Sequence, residues 1–544
     1  MFMKKLYLLT TLLCISAGLF AQIELVKDIA VGSEDANIRN VFAANGLLYF
    51  EADDDVNSDQ LWISDGTDAG TFMVLINQDT ADSSPNADPQ NFFLFNGLVY
   101  FNADNGDGSQ NDKELWVTDG TAGNTMLLAN LATDTLGPDG SNPQEFFALG
   151  DSLYFQARVN NTTELWRYNG DTVEQATMIG AGPGTFATVR APIVDEENGR
   201  VWVAAQSTNG DFEPYIFNGD TARLVKDIKP DRSGYGGNAI LYNGNLIFEG
   251  DDDVNGDELW FSDGTEAGTM MVLDINPGDE NSDPDDFAIY NDAVYFKAEV
   301  DSNANEQLWK TDGTAAGTMM AAAPNPDGDG EVENLFVANG LLFFAANNGT
   351  DGVEPWVYDG TEARMLKDLN PNGDSDPEDF LSLAGKIYFG ADSDDDGDNE
   401  LWMTDGTADS TVQVSTVFDS TLNPIDVDNF VVSDGKLYFT GMDTTQSLGD
   451  ELYVLTPQQM STSNVKITVA TFDVYPNPSV NGTFFIKGDN LDQALYRVID
   501  QSGRIVANGT ITGNRLQLNQ QPGTYFLWLE KEQRAYVKKV MIVR

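Results

Sequence analysis

The chain has 544 residues and a formal net charge of −58 at pH 7, and it contains no histidine and a single cysteine, Cys14. A surface of that charge repels nucleic acid and anionic membranes, so neither is expected as a partner. Beyond its first 21 residues the chain therefore has no His base, thiol nucleophile, disulfide or zinc site of the usual ligand types. Any catalysis would have to use carboxylates, Lys, Tyr or Ser.

Residues 1–21 have the pattern of a secretory signal peptide. Lys4 and Lys5 precede an apolar run over 6–20, and Ala21 suits the last position before cleavage. An uncleaved membrane anchor is the alternative, but the run is short for a membrane span. No later segment is long and apolar enough to cross a bilayer, so we predict an exported protein without a transmembrane segment.

From residue 22 onward, a cassette with an ELW strand and an Asp-Gly-Thr turn recurs along the chain. In its clearest copy, residues 258–275 read ELWFSDGTEAGTMMVLDI, which is two apolar runs joined by the hairpin pair Asp263-Gly264. Asp-Gly suits a tight hairpin because Gly takes positive φ without strain and Asp tolerates it. The aromatic residue of the ELW strand marks nine copies, roughly 50 residues apart: Trp62, Trp116, Trp166, Tyr215, Trp260, Trp309, Trp356, Trp402 and Tyr453.

Each copy predicts four strands, and four short strands repeated about every 40–50 residues are typical of β-propeller blades. We therefore predict an all-β propeller over residues 22–456 with nine four-stranded blades; eight blades, with one set of strands displaced, is the alternative. Residues 23–29 resemble a lone fourth strand, and residues 451–455 resemble a third strand that lacks a fourth. The N-terminal strand is thus predicted to complete the last blade and close the ring, which removes exposed edges.

The chain after the repeats differs in pattern. Residues 457–471 are polar and lack the repeat, which predicts a linker. Over residues 472–544, short β runs alternate with Asn-Gly, Ser-Gly and Pro-Gly turns, which predicts a small β-sandwich.

Two resemblances to known families follow from these motifs. Over most of residues 23–456 the repeat resembles the ELWxxDGT family of bacterial propeller repeats, which implies a fold but no settled activity. The C-terminal module resembles the type A sorting domain of the type IX secretion system through Tyr475-Pro476-Asn477-Pro478, Gly482, Asp500-Gln501-Ser502-Gly503, Gly523-Thr524-Tyr525 and Lys538-Lys539-Val540. This second resemblance implies that the type IX machinery handles residues 472–544, exports the chain through the outer membrane and removes the module. The mature protein would then be released or attached at the cell surface.

The direction of the strands predicts where chemistry is concentrated. Because the four strands of a blade run antiparallel, turns 1–2 and 3–4 emerge on one face of the ring, and connections 2–3 and 4–1 emerge on the other. The first pair are tight Asn-Gly and Asp-Gly hairpins, whereas the second pair are long and acidic. We therefore expect one plain face and one face that carries nearly all the acidic loops.

Two of the 2–3 loops have the spacing with which a calcium loop begins. Both place oxygen ligands at alternate positions before a Gly, and the predicted ligands are Asp251, Asp253, Asn255 and Asp257 in one loop and Asp392, Asp394, Asp396 and Asp398 in the other. Calcium takes about six to eight oxygen ligands, and alternate residues of one loop can surround it. The twelfth position is Ser262 or Met403 rather than Glu, so a site here would be a short loop of extracellular type. The alternative is an acidic, solvated loop that serves solubility.

The sequence favours a monomeric, non-enzymatic propeller, secreted or at the outer-membrane surface, that binds an unidentified protein or glycan across its acidic face. A carboxylate-dependent hydrolase acting on glycans is one alternative, since an Asp/Glu pair needs no His; against it, the acidic residues recur with the repeat. A purely structural, calcium-rigidified surface protein is the other. The third and fourth copies hold an unusual set of arginines and are the predicted sector for a ligand site: Arg158, Arg167, Arg190, Arg200 and Arg223.

Overall fold

The computed structural model describes residues 22–457 and 473–542, with gaps at 78–84, 107–111, 132–139, 160–161, 177–187, 207–209, 231, 302, 304, 415–423, 444, 476, 478, 480–482, 488–494, 500–504, 512–514, 519–522 and 532–533. The chain divides into two compact units, Met1–Pro457 and Gln458–Arg544. The predicted signal peptide lies outside the described residues, and so does the predicted linker except for Pro457. The motif residues Pro476, Pro478, Gly482 and Asp500 to Gly503 also lie outside them.

Within the described part of the first unit, the strands form nine four-stranded antiparallel sheets. The first strand, β1 (Gln22–Lys27), belongs to the last sheet. Sheet 1 contains β2 (Arg39–Ala44), β3 (Leu47–Ala52), β4 (Gln60–Ser64) and β5 (Phe72–Val74). Sheet 2 contains β6 (Gln90–Phe95), β7 (Leu98–Asp104), β8 (Lys113–Thr118) and β9 (Met126–Ala129). Sheet 3 contains β10 (Gln144–Leu149), β11 (Ser152–Val159), β12 (Thr162–Tyr168) and β13 (Val173–Gln175).

The remaining sheets continue in chain order. Sheet 4 contains β14 (Val189–Asp195), β15 (Arg200–Gln206), β16 (Phe212–Phe217) and β17 (Ala222–Leu224). Sheet 5 contains β18 (Ala239–Tyr242), β19 (Asn245–Asp251), β20 (Asp257–Ser262) and β21 (Thr269–Leu273). Sheet 6 contains β22 (Asp285–Tyr290), β23 (Ala293–Glu299), β24 (Glu306–Thr311) and β25 (Met319–Ala322).

The last three sheets complete the first unit. Sheet 7 contains β26 (Glu333–Ala338), β27 (Leu341–Asn347), β28 (Val353–Tyr358) and β29 (Ala363–Met365). Sheet 8 contains β30 (Glu378–Leu383), β31 (Lys386–Ala391), β32 (Glu400–Thr404) and β33 (Val412–Gln413). Sheet 9 contains β34 (Ile425–Ser433), β35 (Lys436–Asp443), β36 (Leu448–Thr456) and β1. Short 3-10 turns occupy Ala122–Asn124 and Ala408–Ser410.

The sheets form a closed ring. The first strand of each sheet contacts the first strand of the next, through β2, β6, β10, β14, β18, β22, β26, β30 and β34, and β34 in turn contacts β2. β1 pairs antiparallel with β36, so the N-terminal strand supplies the outer strand of sheet 9. A ring of four-stranded sheets joined in this way is a β-propeller. The predicted all-β fold and its closure by the N-terminal strand are confirmed.

The hydrophobic core lies between neighbouring sheets. Trp260 of sheet 5 packs in one cluster with Trp202 and Ile216 of sheet 4. Across the closure, Trp62 of sheet 1 packs with Tyr438 of sheet 9. Because each sheet buries one aromatic layer against the next, the tryptophans recur with the repeat and serve packing.

The second unit, Gln458–Arg544, has two sheets. They are built from β37 (Asp473–Tyr475), β38 (Thr483–Lys487), β39 (Leu495–Ile499), β40 (Ile505–Thr510), β41 (Arg515–Gln517), β42 (Gly523–Lys531) and β43 (Arg534–Ile542). One sheet has the order β37-β38-β41, the other β40-β39-β42-β43, and Phe484, Val498 and Leu527 are buried in its core. This is the small β-sandwich that the sequence predicts. In neither unit do the described residues include a helix with the length and apolarity to cross a membrane.

Candidate functional site

The tight hairpins lie on one face of the ring, here called the turn face. Hairpins of neighbouring sheets are joined by hydrogen bonds. Asn45 and Gly46 have φ angles of 54° and 76°, the left-handed values of a type I′ hairpin, which explains the Asn-Gly pair. The amide of Asn45 donates to the backbone oxygen of Gly97 in the next sheet (3.0 Å), and Asn339 donates likewise to Gly385 (3.2 Å). These turns are therefore scaffold. The opposite face, formed by connections 2–3 and 4–1, is here called the loop face.

The Glu of the ELW strand anchors the connection from one sheet to the next. Glu258 is fully buried, and its carboxylate accepts hydrogen bonds from the backbone N–H groups of Ile275 (2.7 Å) and Asn276 (3.1 Å) and from Ser282 Oγ (2.8 Å). Glu354 makes the same set of bonds in sheet 7. Burial raises the pKa of Glu258 to about 7. The recurring carboxylate thus has a structural role.

The first predicted calcium loop already holds a cation of the protein. Lys229 Nζ contacts Asp251 Oδ2 and lies 3.4 Å from Asp253 Oδ1. Asp252, which was not among the predicted ligands, closes the loop by accepting the backbone N–H of Asn255 (2.9 Å). The structure therefore does not gather the predicted ligands of this loop around one point.

Asp257, the fourth predicted ligand of that loop, lies with Glu249 of β19 and Asp283. One carboxylate oxygen of each lies within 4.8 Å of the others. Burial, followed by the charge of Asp257, raises the pKa of Glu249 to about 7, and burial also raises the pKa values of Asp257 and Asp283. Sequence reasoning missed Glu249 and Asp283 because they lie on a strand and on a 4–1 connection outside the 2–3 loop. The available signal was that Glu51 and Glu249 share one register position in sheets 1 and 5.

Sheet 1 repeats this arrangement with an arginine in it. Glu51, Asp59 and Asp88 also bring carboxylate oxygens within 4.8 Å of one another. Glu51 lies opposite Leu61, and Glu249 lies opposite Leu259, so the two glutamates hold equivalent positions in sheets 1 and 5. Arg39 Nη2 lies 2.8 Å from Glu51 and 3.2 Å from Asp59. Sheet 1 therefore places one positive charge of its own among these carboxylates, although burial still raises the pKa of Glu51 to about 7.

The second predicted calcium loop brings three of its four predicted ligands together. Asp392, Asp394 and Asp396 have carboxylate oxygens within 4.8 Å of one another. Asp392 accepts the backbone N–H groups of Asp394 (3.1 Å) and Gly397 (3.0 Å), which fix the loop. The charge of Asp396 raises the pKa of Asp394. Asp398 is not a member of this group; its backbone N–H bonds to Asp396 instead (3.1 Å).

Most of the arginines predicted to mark a ligand sector have structural partners. Arg167, Arg190, Arg200 and Arg223 contact Glu174, the ring of Phe212, Asp195 and the backbone oxygen of Gly264, respectively. Arg158 also lines a cleft between sheets 2 and 3. A concave site therefore borders the predicted sector, with one of the five arginines in its lining.

Comparison with known proteins identifies the second unit. Residues 473–543 match the family described as the secretion system C-terminal sorting domain. No curated protein matches the chain.

Solved structures similar to the chain have low identity. PorZ, a surface component of the type IX secretion system of Porphyromonas gingivalis, is 11% identical with a TM-score of 0.26, over 96% of this chain and 100% of that one. The β-propeller domain of the Trilobed protease from Pyrococcus furiosus is 10% identical with a TM-score of 0.31, over 61% and 99%. The extracellular domain of a putative one-component system from B. thetaiotaomicron is 10% identical with a TM-score of 0.26, over 93% and 86%. The family match over residues 473–543 gives the propeller a C-terminal type IX sorting domain, which implies export and a cell-surface or secreted location.

Proposed function

We propose that the propeller is a non-enzymatic binding module that presents its loop face to a protein or glycan after export by a signal peptide and the type IX machinery. The observation that carries this proposal is the difference between the two faces. The turn face satisfies its own polar groups, as Asn45 and Asn339 illustrate, whereas the loop face carries clustered carboxylates and a polar cleft. Exposed polar groups on a rigid scaffold are the usual location of binding function.

The ELW carboxylates give no support to a hydrolase. Glu258 and Glu354 have no solvent exposure, and each accepts three hydrogen bonds from the chain itself. A general acid or nucleophile must reach a glycosidic bond, which these groups cannot do. The recurring acids therefore favour a scaffold that binds without cleaving.

The proposal includes calcium at two places on the loop face. One is the group Glu249, Asp257 and Asp283, and the other is Asp392, Asp394 and Asp396. Calcium prefers carboxylate oxygens and completes its shell with backbone oxygens and water, and extracellular sites of this kind bind at about 10⁻⁴ to 10⁻³ M.

Other sheets support the calcium assignment in sheet 5. Sheet 1 holds Arg39 against the equivalent carboxylates. In sheet 6 the strand position of Glu249 is taken by Lys297, whose Nζ lies 3.1 Å from Glu306. In these two sheets the chain therefore supplies a positive charge in an ion pair, whereas among the described residues no Lys or Arg makes an ion pair with Glu249, Asp257 or Asp283. The charges of Lys229 and Lys297 reach Asp257 and Asp283 only in part, lowering pKa values that burial raises.

The binding function is tested with the labelled full chain on glycan and protein arrays. We expect a bound ligand that is recovered uncleaved. The double variant Asp394→Lys, Asp396→Lys on the loop face should change binding, whereas Asp171→Lys with Asp220→Lys on turn-face hairpins is the matched control and should leave it unchanged. Binding that responds only to the turn-face variant, or cleavage of the ligand, would contradict the proposal.

A further inference from the structure

A polar cleft opens on the loop face between sheets 2 and 3. Its volume is about 380 Å³, and the polar side chains that line it are Gln90, Lys113, Asn142, Gln144, Gln156, Arg158 and Thr163. Among the described residues, none of its lining is Asp, Glu or aromatic, although the chain has 87 acidic residues. The described lining of the cleft therefore carries two cations and no carboxylate, on a face that is otherwise acidic.

The repeat supplies a comparison for this missing charge. Strand register and the backbone bonds of the 4–1 connection align five lining residues with acidic residues at the junction of sheets 5 and 6: Lys113 with Asp257, Asn142 with Asp283, Gln144 with Asp285, Arg158 with Glu299, and Thr163 with Glu306. Each of these replacements removes a negative charge, and two of them introduce a positive one. Packing alone does not require this, because the acidic set fits the same scaffold at sheets 5 and 6.

The lining offers hydrogen-bonding groups to a ligand. Within the described part of the chain, the side chains of Gln90, Gln144 and Thr163 make no hydrogen bond. The ammonium of Lys113 lies 3.8 Å from Asp88 Oδ2, which is a long ion pair. Amides and hydroxyls both donate and accept, whereas Lys and Arg only donate.

Hydrogen bonds between sheets 2 and 3 hold the walls of the cleft in place. Asn102 of β7 donates to Asn142 Oδ1 (2.9 Å), which orients the amide of Asn142. The backbone N–H of Asn142 donates to the carbonyl of Lys113 (2.8 Å), and that of Arg158 donates to Ser141 (2.7 Å). Little ordering is then needed when a ligand binds, which favours affinity.

We propose that this cleft binds a carboxylate-bearing sugar residue of an acidic polysaccharide. Lys113 and Arg158 provide charge-assisted bonds to the carboxylate, and the amides of Gln90, Asn142 and Gln144 match hydroxyls that both donate and accept. The volume falls within the range of about 300 to 1,000 Å³ usual for small-ligand sites. The surrounding acids disfavour an anionic ligand over the rest of the face, so a bound carboxylate is expected beside Lys113 and Arg158. This assignment rests on the proposed binding function and names its ligand class.

The test is a calorimetric titration of the full chain with oligomers of galacturonate, alginate and hyaluronan, each paired with its carboxyl-reduced form. A chelator is present so that calcium cannot bridge the sugar to the loop carboxylates. We expect at least one carboxylated oligomer to bind and its reduced form to bind about tenfold or more weakly. Lys113→Ala with Arg158→Ala should cause a similar loss, and Lys310→Ala, which removes a positive charge outside the cleft, should not.

A second double variant keeps Lys113 and Arg158 and introduces two of the acids found at the junction of sheets 5 and 6. Asn142→Asp with Gln144→Asp should abolish binding while the melting temperature remains close to that of the native chain. If no carboxylated oligomer binds, or if binding is insensitive to both variants, the cleft assignment is overturned. If array ligands still bind the loop face in that case, the proposed binding function is retained without the cleft assignment. If no array ligand and no oligomer binds the chain, both the binding function and the cleft assignment are contradicted.

Discussion

Arg39 Nη2 lies 2.8 Å from Glu51 Oε1 in sheet 1, whereas Glu249, at the same register position of sheet 5, makes no ion pair with a Lys or Arg of the described residues. Both carboxylates also accept a side-chain amide bond, Glu51 from Asn40 (2.8 Å) and Glu249 from Asn238 (2.6 Å). Two copies of one repeat thus differ in the counter-charge that the chain places beside this carboxylate.

Placing an arginine beside Glu249, or removing the one beside Glu51, is expected to change the calcium response. Asn238→Arg should raise the melting temperature in chelator and reduce the stabilisation by millimolar calcium, because the guanidinium replaces the ion. Arg39→Asn should lower the melting temperature in chelator and enlarge the calcium response. Calcium at about 1 mM over a site of this affinity gives about 0.4–1.4 kcal/mol, or about 0.5–1.5 °C in a chain of this size. Differential scanning calorimetry measures both, and equal calcium responses in all three chains would contradict the assignment.

The fold was predictable because the repeat encodes it at the level of local chemistry. The Asn45-Gly46 pair suits a hairpin turn that needs positive φ at both positions. Two aromatic residues recur in every copy, which predicts that neighbouring sheets pack through them. The strand at Gln22–Lys27 is left over at the start of the repeats, and the last copy lacks a fourth strand. Counting the strands therefore predicts that β1 pairs with β36 and closes the ring.

The candidate site was predictable only in part. Asp392, Asp394 and Asp396 are close in sequence, and the structure brings them together. Glu249 and Asp283 come from separate elements, and only the register of the strands brings them to Asp257. The ion pair of Asp251 with Lys229 likewise joins two different loops, so the spacing of residues along one loop does not predict it.

The chain is expected to lose stability as the pH rises from about 5 to about 8. Burial raises the pKa values of Glu213, Glu258 and Glu354 from 4.5 to about 7. Because the folded chain holds these protons more tightly than the unfolded chain, the contribution is complete below about pH 4.5 and is lost as the pH passes about 7. Thermal unfolding at constant high salt, which screens the net charge, measures the slope. Glu258→Gln should reduce it, and a melting temperature that rises over this range would refute the explanation.

Removing the ELW carboxylate is expected to destabilise the propeller far more than neutralising it. Glu258→Ala leaves the N–H groups of Ile275 and Asn276 and the hydroxyl of Ser282 without their acceptor, at a cost of about 3–5 kcal/mol. Glu258→Gln should cost about 1 kcal/mol, because Gln60 fills this role in sheet 1 by accepting from the backbone of Ile76 (3.0 Å). Urea unfolding gives both values. Similar losses in the two variants would show that the hydrogen bonds are not the source of the stability.

The closure of the ring is expected to depend on the absence of a side chain at Gly66. Its φ is 81°, and a Cβ there would lie 2.0 Å from the hydroxyl of Tyr438, which belongs to sheet 9 across the closure. Gly97 has nearly the same φ, 80°, but nothing within 4 Å of such a Cβ. Gly97→Ala should therefore cost only the backbone strain of about 1–2 kcal/mol, and Gly66→Ala should cost about 3 kcal/mol or more because Tyr438 must also move. Paired urea unfolding curves measure the difference between the variants, which isolates the steric contact; equal midpoints would mean that Tyr438 yields without cost.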